Sequence, residues 1–315
     1  MKIGVDLSVE LAPPRAGRAG LRLKNPILVA SGTFGYGVEF AEQVDLNRLG
    51  GVVVKGLSAQ PMEGAPAPRL CETPAGMLNA VGLQNIGVRR FIEEKLPLLR
   101  AYDTAVVANV FGHTVEEYVE VISELEKAEG VAAYELNISC PNVKKGGVEF
   151  GTEAPLTREV VAAARRAAAR RPLVVKLSPN VTDITELARA AVEAGADALS
   201  VANTFTGMAI DPAKRGSKLG SLTGGLSGPA IRPLALRMVY QVAQAVRVPV
   251  IGIGGIVSGE DAVEFFIAGA RAIQVGTANF VQPSAPLRIL EELEEYCRRQ
   301  QIAALSDLCG TLRAE

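Results

Sequence analysis

The sequence has little histidine, tryptophan or cysteine. It has one histidine, no tryptophan and four cysteines in 315 residues. With His113 the sole imidazole, any Ser-His or Cys-His pair must use it or be discarded. His113 sits in Phe111-Gly-His-Thr114 ahead of a helical pattern, where an exposed loop or capping role is the simpler reading. Cys71, Cys140, Cys297 and Cys309 lie far apart with no CxxC pair. That spacing argues against a structural zinc site or a disulfide framework and fits a reducing cytoplasm. Charge of either sign is not in surplus. Lys plus Arg total 33 against 34 Asp plus Glu, so nothing draws the chain to nucleic acid or an anionic membrane. No apolar run reaches the roughly 18 residues of a membrane span, and Met1-Lys-Ile-Gly-Val-Asp6 has no signal-type apolar core.

What is present is a chain that can bury a large core: 48% hydrophobic, 21% charged, and of ordinary length for one α/β barrel. Short β-rich runs recur at Ile27–Ala30, Gly51–Lys55, Ala105–Val110, Ala133–Ser139, Leu173–Ser178, Ala198–Asn203, Pro249–Gly252 and Ala272–Val275. Amphipathic stretches alternate with them near 39–48, 87–100, 114–129, 157–170, 183–194, 229–246, 259–269 and 285–300. Thr114 with Glu117 and Asp183 with Glu186 read as capping boxes, and Gly195 and Gly269 as helix stops. Eight βα units with nearly all-apolar strands predict an α/β fold, a (β/α)8 TIM barrel, spanning 1–315 as a single domain. Residues 3–23, around Pro13-Pro14 and Gly17, predict an N-terminal β-hairpin plugging the barrel's N-terminal end. Three βα loops are long, Gly56–Ile86, Cys140–Leu156 and Thr204–Gly228, and all fall on the C-terminal face, where barrel active sites lie.

The strand ends carry a consistent polar set: Ser31, Lys55-Gly56, Asn109, Asn137 with Cys140, Lys176, Asn203-Thr204, Gly254-Gly255 and Gly276-Thr277. Lys176 lies inside Val174-Val-Lys-Leu-Ser178 and is costly to bury alone, so an anionic or electron-rich partner should face it. The glycine pairs after strands seven and eight, with Gly228-Pro229 opening a helix, suit a phosphate bound by backbone N–H groups. Asn79, Asn85, Asn109, Asn137, Asn142 and Asn203 make an amide-rich mouth, suited to a neutral planar ring with alternating carbonyl and N–H groups. Lys55 can serve as a Schiff-base lysine or a fixed cation. Cys140, at a strand exit stiffened by Pro141, can be a nucleophile, a general base or a ligand.

Four motifs narrow these choices. Asn137-Ile-Ser-Cys-Pro-Asn142, Asn79-Ala-Val-Gly-Leu-Gln-Asn85, Lys176-Leu-Ser-Pro-Asn-Val-Thr-Asp183 and Gly224-Gly-Leu-Ser-Gly-Pro-Ala-Ile231 resemble class 1 dihydroorotate dehydrogenase, from about Leu23 to Phe280. The resemblance implies an FMN-binding barrel that oxidises dihydroorotate to orotate in pyrimidine synthesis. Cys140 would then be the base at substrate C5 while hydride passes from C6 to the flavin. Lys55, Asn79, Ala80, Val81, Gly82, Leu83, Asn137, Asn142, Asn203 and Thr204 would hold substrate. Ser31, Lys55, Gly56, Asn109, Asn137, Lys176, Ala202, Gly228, Gly254, Gly255, Gly276 and Thr277 would hold FMN, with Lys176 near flavin N1 and O2. A small departure is Ala202-Asn-Thr-Phe205, where bulkier apolar residues are expected around Asn-Thr.

Gly82-Leu-Gln-Asn85 and Asn142-Val-Lys144 point to the NAD-linked class 1B. Its catalytic subunit, expected as a homodimer core, joins an electron-transfer subunit bearing FAD and a 2Fe–2S cluster in a heterotetramer. The chain has neither an iron–sulfur cysteine cluster nor a GxGxxG loop, so using NAD requires that partner. The competing readings are the same half-reaction with fumarate as acceptor, a relative acting on another reduced pyrimidine, and a phosphate-binding barrel aldolase or isomerase using Lys55 or Lys176.

Overall fold

The computed structural model describes residues 4–139 and 150–313. Eight short strands, Ile27–Val29, Gly51–Val53, Ala105–Val110, Ala133–Asn137, Leu173–Lys176, Ala198–Val201, Val250–Ile253 and Ala272–Val275, pair in sequence order. Every pairing is parallel, and the eighth strand closes on the first. This is the (β/α)8 barrel expected from the alternation. The strands are almost wholly buried because one face fills the barrel while the other packs on helices, which is why they read as continuous apolar runs.

Helices follow the strands at Val115–Lys127, Ala154–Ala167, Ile184–Glu193, Arg232–Ala245, Gly259–Ile267 and Ala285–Arg299. The expected helix over 87–100 is present but passes through a π-helical turn at Phe91–Lys95. Pro97 follows at once; lacking an N–H, it cannot continue the α ladder, and the widened turn absorbs the mismatch. The helix expected over 39–48 does not form. Two 3-10 turns, Val38–Phe40 and Leu46–Arg48, stand there instead. The Asp45 carboxylate accepts from Asn47 N–H, and Glu39 turns back to Tyr36 N–H and Lys95, so local side-chain bonds replace the helical ladder.

Of the two expected capping boxes, the one at Thr114 keeps only its forward half, and Asp183 caps through the second helical N–H instead of that of Glu186. Thr114 Oγ1 accepts from Glu117 N–H and Asp183 from Thr185 N–H, but the Glu117 carboxylate reaches past Thr114 to His113 N–H. The reciprocal box is at Ser258 and Asp261. Gly195 and Gly269, at φ 106° and 117°, end helices in the left-handed region, as expected.

Val9–Ala12 and Leu21–Leu23 form the N-terminal hairpin, with Leu11, Leu21 and Leu23 buried. It closes the N-terminal end of the barrel. Arg18 there and Arg165 both reach Asp197, at 3.1 and 2.7 Å, and Asp197 also accepts from Leu173 N–H at the start of the fifth strand.

The C-terminal face carries an element that the alternation of strands and helices hides. Phe205–Gly207, Gly224–Ser227, Gly76–Asn79 and Leu70–Thr73 form an antiparallel four-stranded sheet. It stitches the long loop after the second barrel strand to the long loop after the sixth. Asn79 pairs with Gly225 in that sheet, so residues separated by 146 positions meet above the mouth. Phe205, in the segment that departs from the family pattern, opens one of its strands.

Candidate active site at the C-terminal mouth

Inside the barrel, just below the mouth, lies a layer of polar side chains. Asn109 and Glu135 are paired across the third and fourth strands, and Asn137 and Lys176 across the fourth and fifth. Residues two apart on a strand share a face, so Glu135 and Asn137 both point inward. Asn109 Nδ2 donates to Glu135 Oε1 at 2.7 Å. Ser200 Oγ and Gln274 Nε2 donate to Glu135 Oε2 at 2.7 and 2.5 Å. Lys176 Nζ stands 3.9 Å from Glu135 Oε1 and donates to Ser31 Oγ at 3.4 Å. The anionic partner expected for Lys176 is therefore Glu135, a residue that sequence reasoning passed over inside Ala133-Tyr-Glu-Leu-Asn137.

The amides divide into two groups. Asn203 Nδ2 donates to Asn137 Oδ1 at 3.2 Å, and Asn203 Oδ1 accepts from Thr204 N–H at 2.8 Å. Asn79 donates to Gly225 C=O at 3.0 Å, and Asn180 donates to Thr204 C=O. These place Asn137, Asn203 and Thr204 in one cluster under the loop sheet that carries Asn79. Asn85 does not join them. Its carboxamide is used inside its own loop, accepting from Gly87 N–H at 2.8 Å and bonding Ser58 and Leu83, so it shapes the loop instead of lining the mouth.

The segment Asn79–Leu83 leaves that sheet through Gly82 at φ 70° and Leu83 at φ 57°. A Cβ on Gly82 would lie 2.3 Å from Ala65 N. Arg69 holds the turn, donating to Ala65 C=O, Glu63 C=O and Gln84 Oε1. Lys55 follows the second strand; burial, reinforced by the positive charge of Arg69, pushes its ammonium pKa down against the opposing pull of Glu39. Gly56 lets Asn109 and Phe111 approach, since a Cβ there would meet Asn109 Oδ1 at 3.0 Å.

At the seventh and eighth strands the glycine cradle is assembled. Gly228, Gly254 and Gly255 all have positive φ, at 96°, 134° and 72°. A Cβ on Gly255 would lie 2.8 Å from Gly228 C=O, and one on Gly228 would lie 3.5 Å from Thr277 Cγ2. Thr277 Oγ1 bonds Ser227 Oγ at 2.8 Å. Gly276, by contrast, is not crowded: a Cβ there would make only ordinary contacts, with Ala30 Cβ at 3.6 Å and Thr33 Cγ2 at 3.8 Å. Ala202 is buried at the end of the sixth strand and donates to Ile253 C=O. Glycine amides beside a helix start suit an anionic phosphate, and a buried lysine with a hydrogen-bond donor to spare suits an electron-rich ring. This donor set fits FMN. We expect Gly255→Ala to weaken FMN retention about tenfold or more while leaving the fold intact, measured as flavin loss on dilution; equal retention would remove Gly255 from the cradle.

Cys140 and Asn142 lie outside the described residues. Ser139, immediately before Cys140, is buried at the mouth and donates to Lys176 C=O. His113 is half-exposed and faces Glu117, matching the loop and capping reading. Burial pushes the Cys309 thiol up to about 11 and raises that of Cys297. Among the described residues, no cluster of metal ligands forms and no helix is long and apolar enough to cross a membrane. A groove of about 530 Å³ opens at the other end of the barrel beside Ser8, Arg247, Arg271 and Cys309, and no strand-end polar residue lines it.

The fold and mouth define a (β/α)8 barrel enzyme with a polar pocket at the C-terminal ends of its strands. The chain matches the dihydroorotate dehydrogenase family over residues 17–297. It is 57% identical over 307 residues to a Geotalea uraniireducens protein named dihydroorotate dehydrogenase B (NAD(+)), catalytic subunit, covering 98% of each chain. A Trichlorobacter lovleyi protein of the same name is 58% identical over 292 residues, covering 93% of this chain and 96% of the relative. A Solibacter usitatus protein provisionally named dihydroorotate dehydrogenase A (fumarate) is 60% identical over 294 residues, with the same coverage. The chain belongs to the dihydroorotate dehydrogenase family.

Proposed function

We propose that the chain oxidises dihydroorotate to orotate in pyrimidine synthesis, using one bound FMN. In this reading it is the catalytic subunit that passes electrons to NAD through a partner bearing FAD and an iron–sulfur cluster. The observation that supports this most strongly is the buried Lys176 at the mouth, flanked by the amide cluster and the glycine cradle, in a chain similar over nearly its whole length to NAD-linked catalytic subunits.

When bound, FMN supplies the hydride acceptor. The rest of the chemistry belongs to the chain. Asn79, Asn137, Asn142, Asn203 and Thr204, with the backbone of Ala80–Leu83, offer the paired donors and acceptors that a dihydropyrimidine ring requires. Lys55 presents a half-buried cation to the substrate carboxylate. Cys140 takes the C5 proton as its thiolate. Ser31, Gly56, Asn109, Lys176, Ala202, Gly228, Gly254, Gly255, Gly276 and Thr277 hold the flavin and its phosphate.

The acceptor is tested by reconstitution. The purified chain with dihydroorotate and NAD gives no NADH alone, and gives steady turnover once the FAD- and iron–sulfur-bearing subunit is added. Rapid turnover with fumarate and no partner would assign the chain to the fumarate-linked enzymes instead, the name that the Solibacter relative carries.

A further inference from the structure

We propose that Glu135 is a positioning residue for the flavin site: its carboxylate fixes Lys176 and Asn109 beneath the mouth and offsets the lysine's charge. It thereby holds the flavin's reduction potential down. The inference rests on the FMN reading above and deepens it.

Glu135 is fully buried, and its two oxygens gather residues from four other strands. Oε1 takes Asn109 Nδ2 at 2.7 Å and faces Lys176 Nζ at 3.9 Å. Oε2 takes Ser200 Oγ at 2.7 Å and Gln274 Nε2 at 2.5 Å, and Gln274 Nε2 also reaches Ser200 Oγ at 3.2 Å. Donors alone surround it, the complement of a carboxylate anion. A hydrophobic layer would fill the same space without the cost of desolvating two charges, so stability alone does not account for the pair. Two of the four partners of Glu135, Asn109 and Lys176, are residues assigned to the flavin.

The charge balance sets the sign of the effect. The Lys176 ammonium favours electrons added to a flavin beside it, and a carboxylate 3.9 Å behind that ammonium opposes the gain. Removing the carboxylate's charge leaves the lysine's field uncompensated and favours the reduced flavin. Loss of packing alone would loosen the flavin without favouring reduction.

The test is a potentiometric titration of the FMN-loaded protein, with flavin release followed in parallel. Glu135→Gln keeps the size and removes the charge. At a fixed solution potential it should raise the ratio of reduced to oxidised flavin about tenfold, about 30 mV upward for a two-electron couple. Glu135→Asp keeps the charge but draws it away from Lys176, and should shift the potential in the same direction by less. An unchanged or lowered potential in Glu135→Gln overturns the proposal. If that variant does not retain flavin, an unchanged or lowered potential in Glu135→Asp overturns it. A wild-type chain that takes up no FMN overturns the functional reading itself. A wild-type chain reduced by dihydroorotate, with unshifted variants, overturns only the role of Glu135.

Discussion

Replacing Cys140 with alanine should lower turnover about 10²- to 10⁴-fold, the usual contribution of a general base, while FMN and orotate still bind. The variant lacks only the group proposed to take the C5 proton; the residues assigned to the flavin and the ring are untouched. An unperturbed thiol has a pKa of about 8.5, so at neutral pH the base needs a surrounding that favours its thiolate. Plain burial does the opposite, as Cys309 shows with its thiol pushed up to about 11. Cys140→Ser should retain slight activity that rises with pH, because an alcohol is a far poorer base. Stopped-flow reduction of the flavin by dihydroorotate reads both variants, and near-normal rates in Cys140→Ala would remove the cysteine from the chemistry.

Lys176→Met is expected to cost about 3–5 kcal/mol of stability, because it strands the Glu135 carboxylate in the barrel interior. The variant also loses the cation assigned to the flavin and should be isolated largely without it. Pairing it with Glu135→Gln removes the stranded charge and should restore most of the stability but not the flavin. Denaturant midpoints at constant slope measure the first effect, and flavin absorbance of the purified proteins the second. Additive losses across Lys176→Met, Glu135→Gln and the double variant would show that the two side chains are not coupled.

These expectations draw unequally on what the chain reveals before it folds. The barrel strands were legible because a parallel strand covered on both faces must be apolar throughout, as Leu173–Lys176 is except for its final lysine. Lys176 and the glycines of strands seven and eight were legible for the complementary reason: each breaks such a run at its C-terminal end. The sheet joining the two long loops was not. Its strand Gly224–Ser227 carries two glycines, and Leu70–Thr73 faces solvent along much of its length, so neither presents an apolar alternation. Glu135 was missed because a charge inside a strand declares its role only through its neighbours across the barrel. Ser200 and Gln274, which complete its shell, lie 65 and 139 residues away. Asn85 shows the reverse error. Its residue type suited the mouth, but Ser58 and Gly87 claim its amide for the loop. The false helix over 39–48 arose in the same way, since its amphipathic spacing concealed the local bonds of Glu39 and Asp45.

The central claim is that this barrel oxidises dihydroorotate on its own flavin, and the reductive half-reaction tests it most directly. The purified chain, mixed anaerobically with dihydroorotate and without any partner, should lose its oxidised-flavin absorbance and form orotate in equal amount. A yellow protein that stays oxidised would assign the site to another reduced substrate. A colourless protein that cannot be loaded with FMN would contradict the account outright.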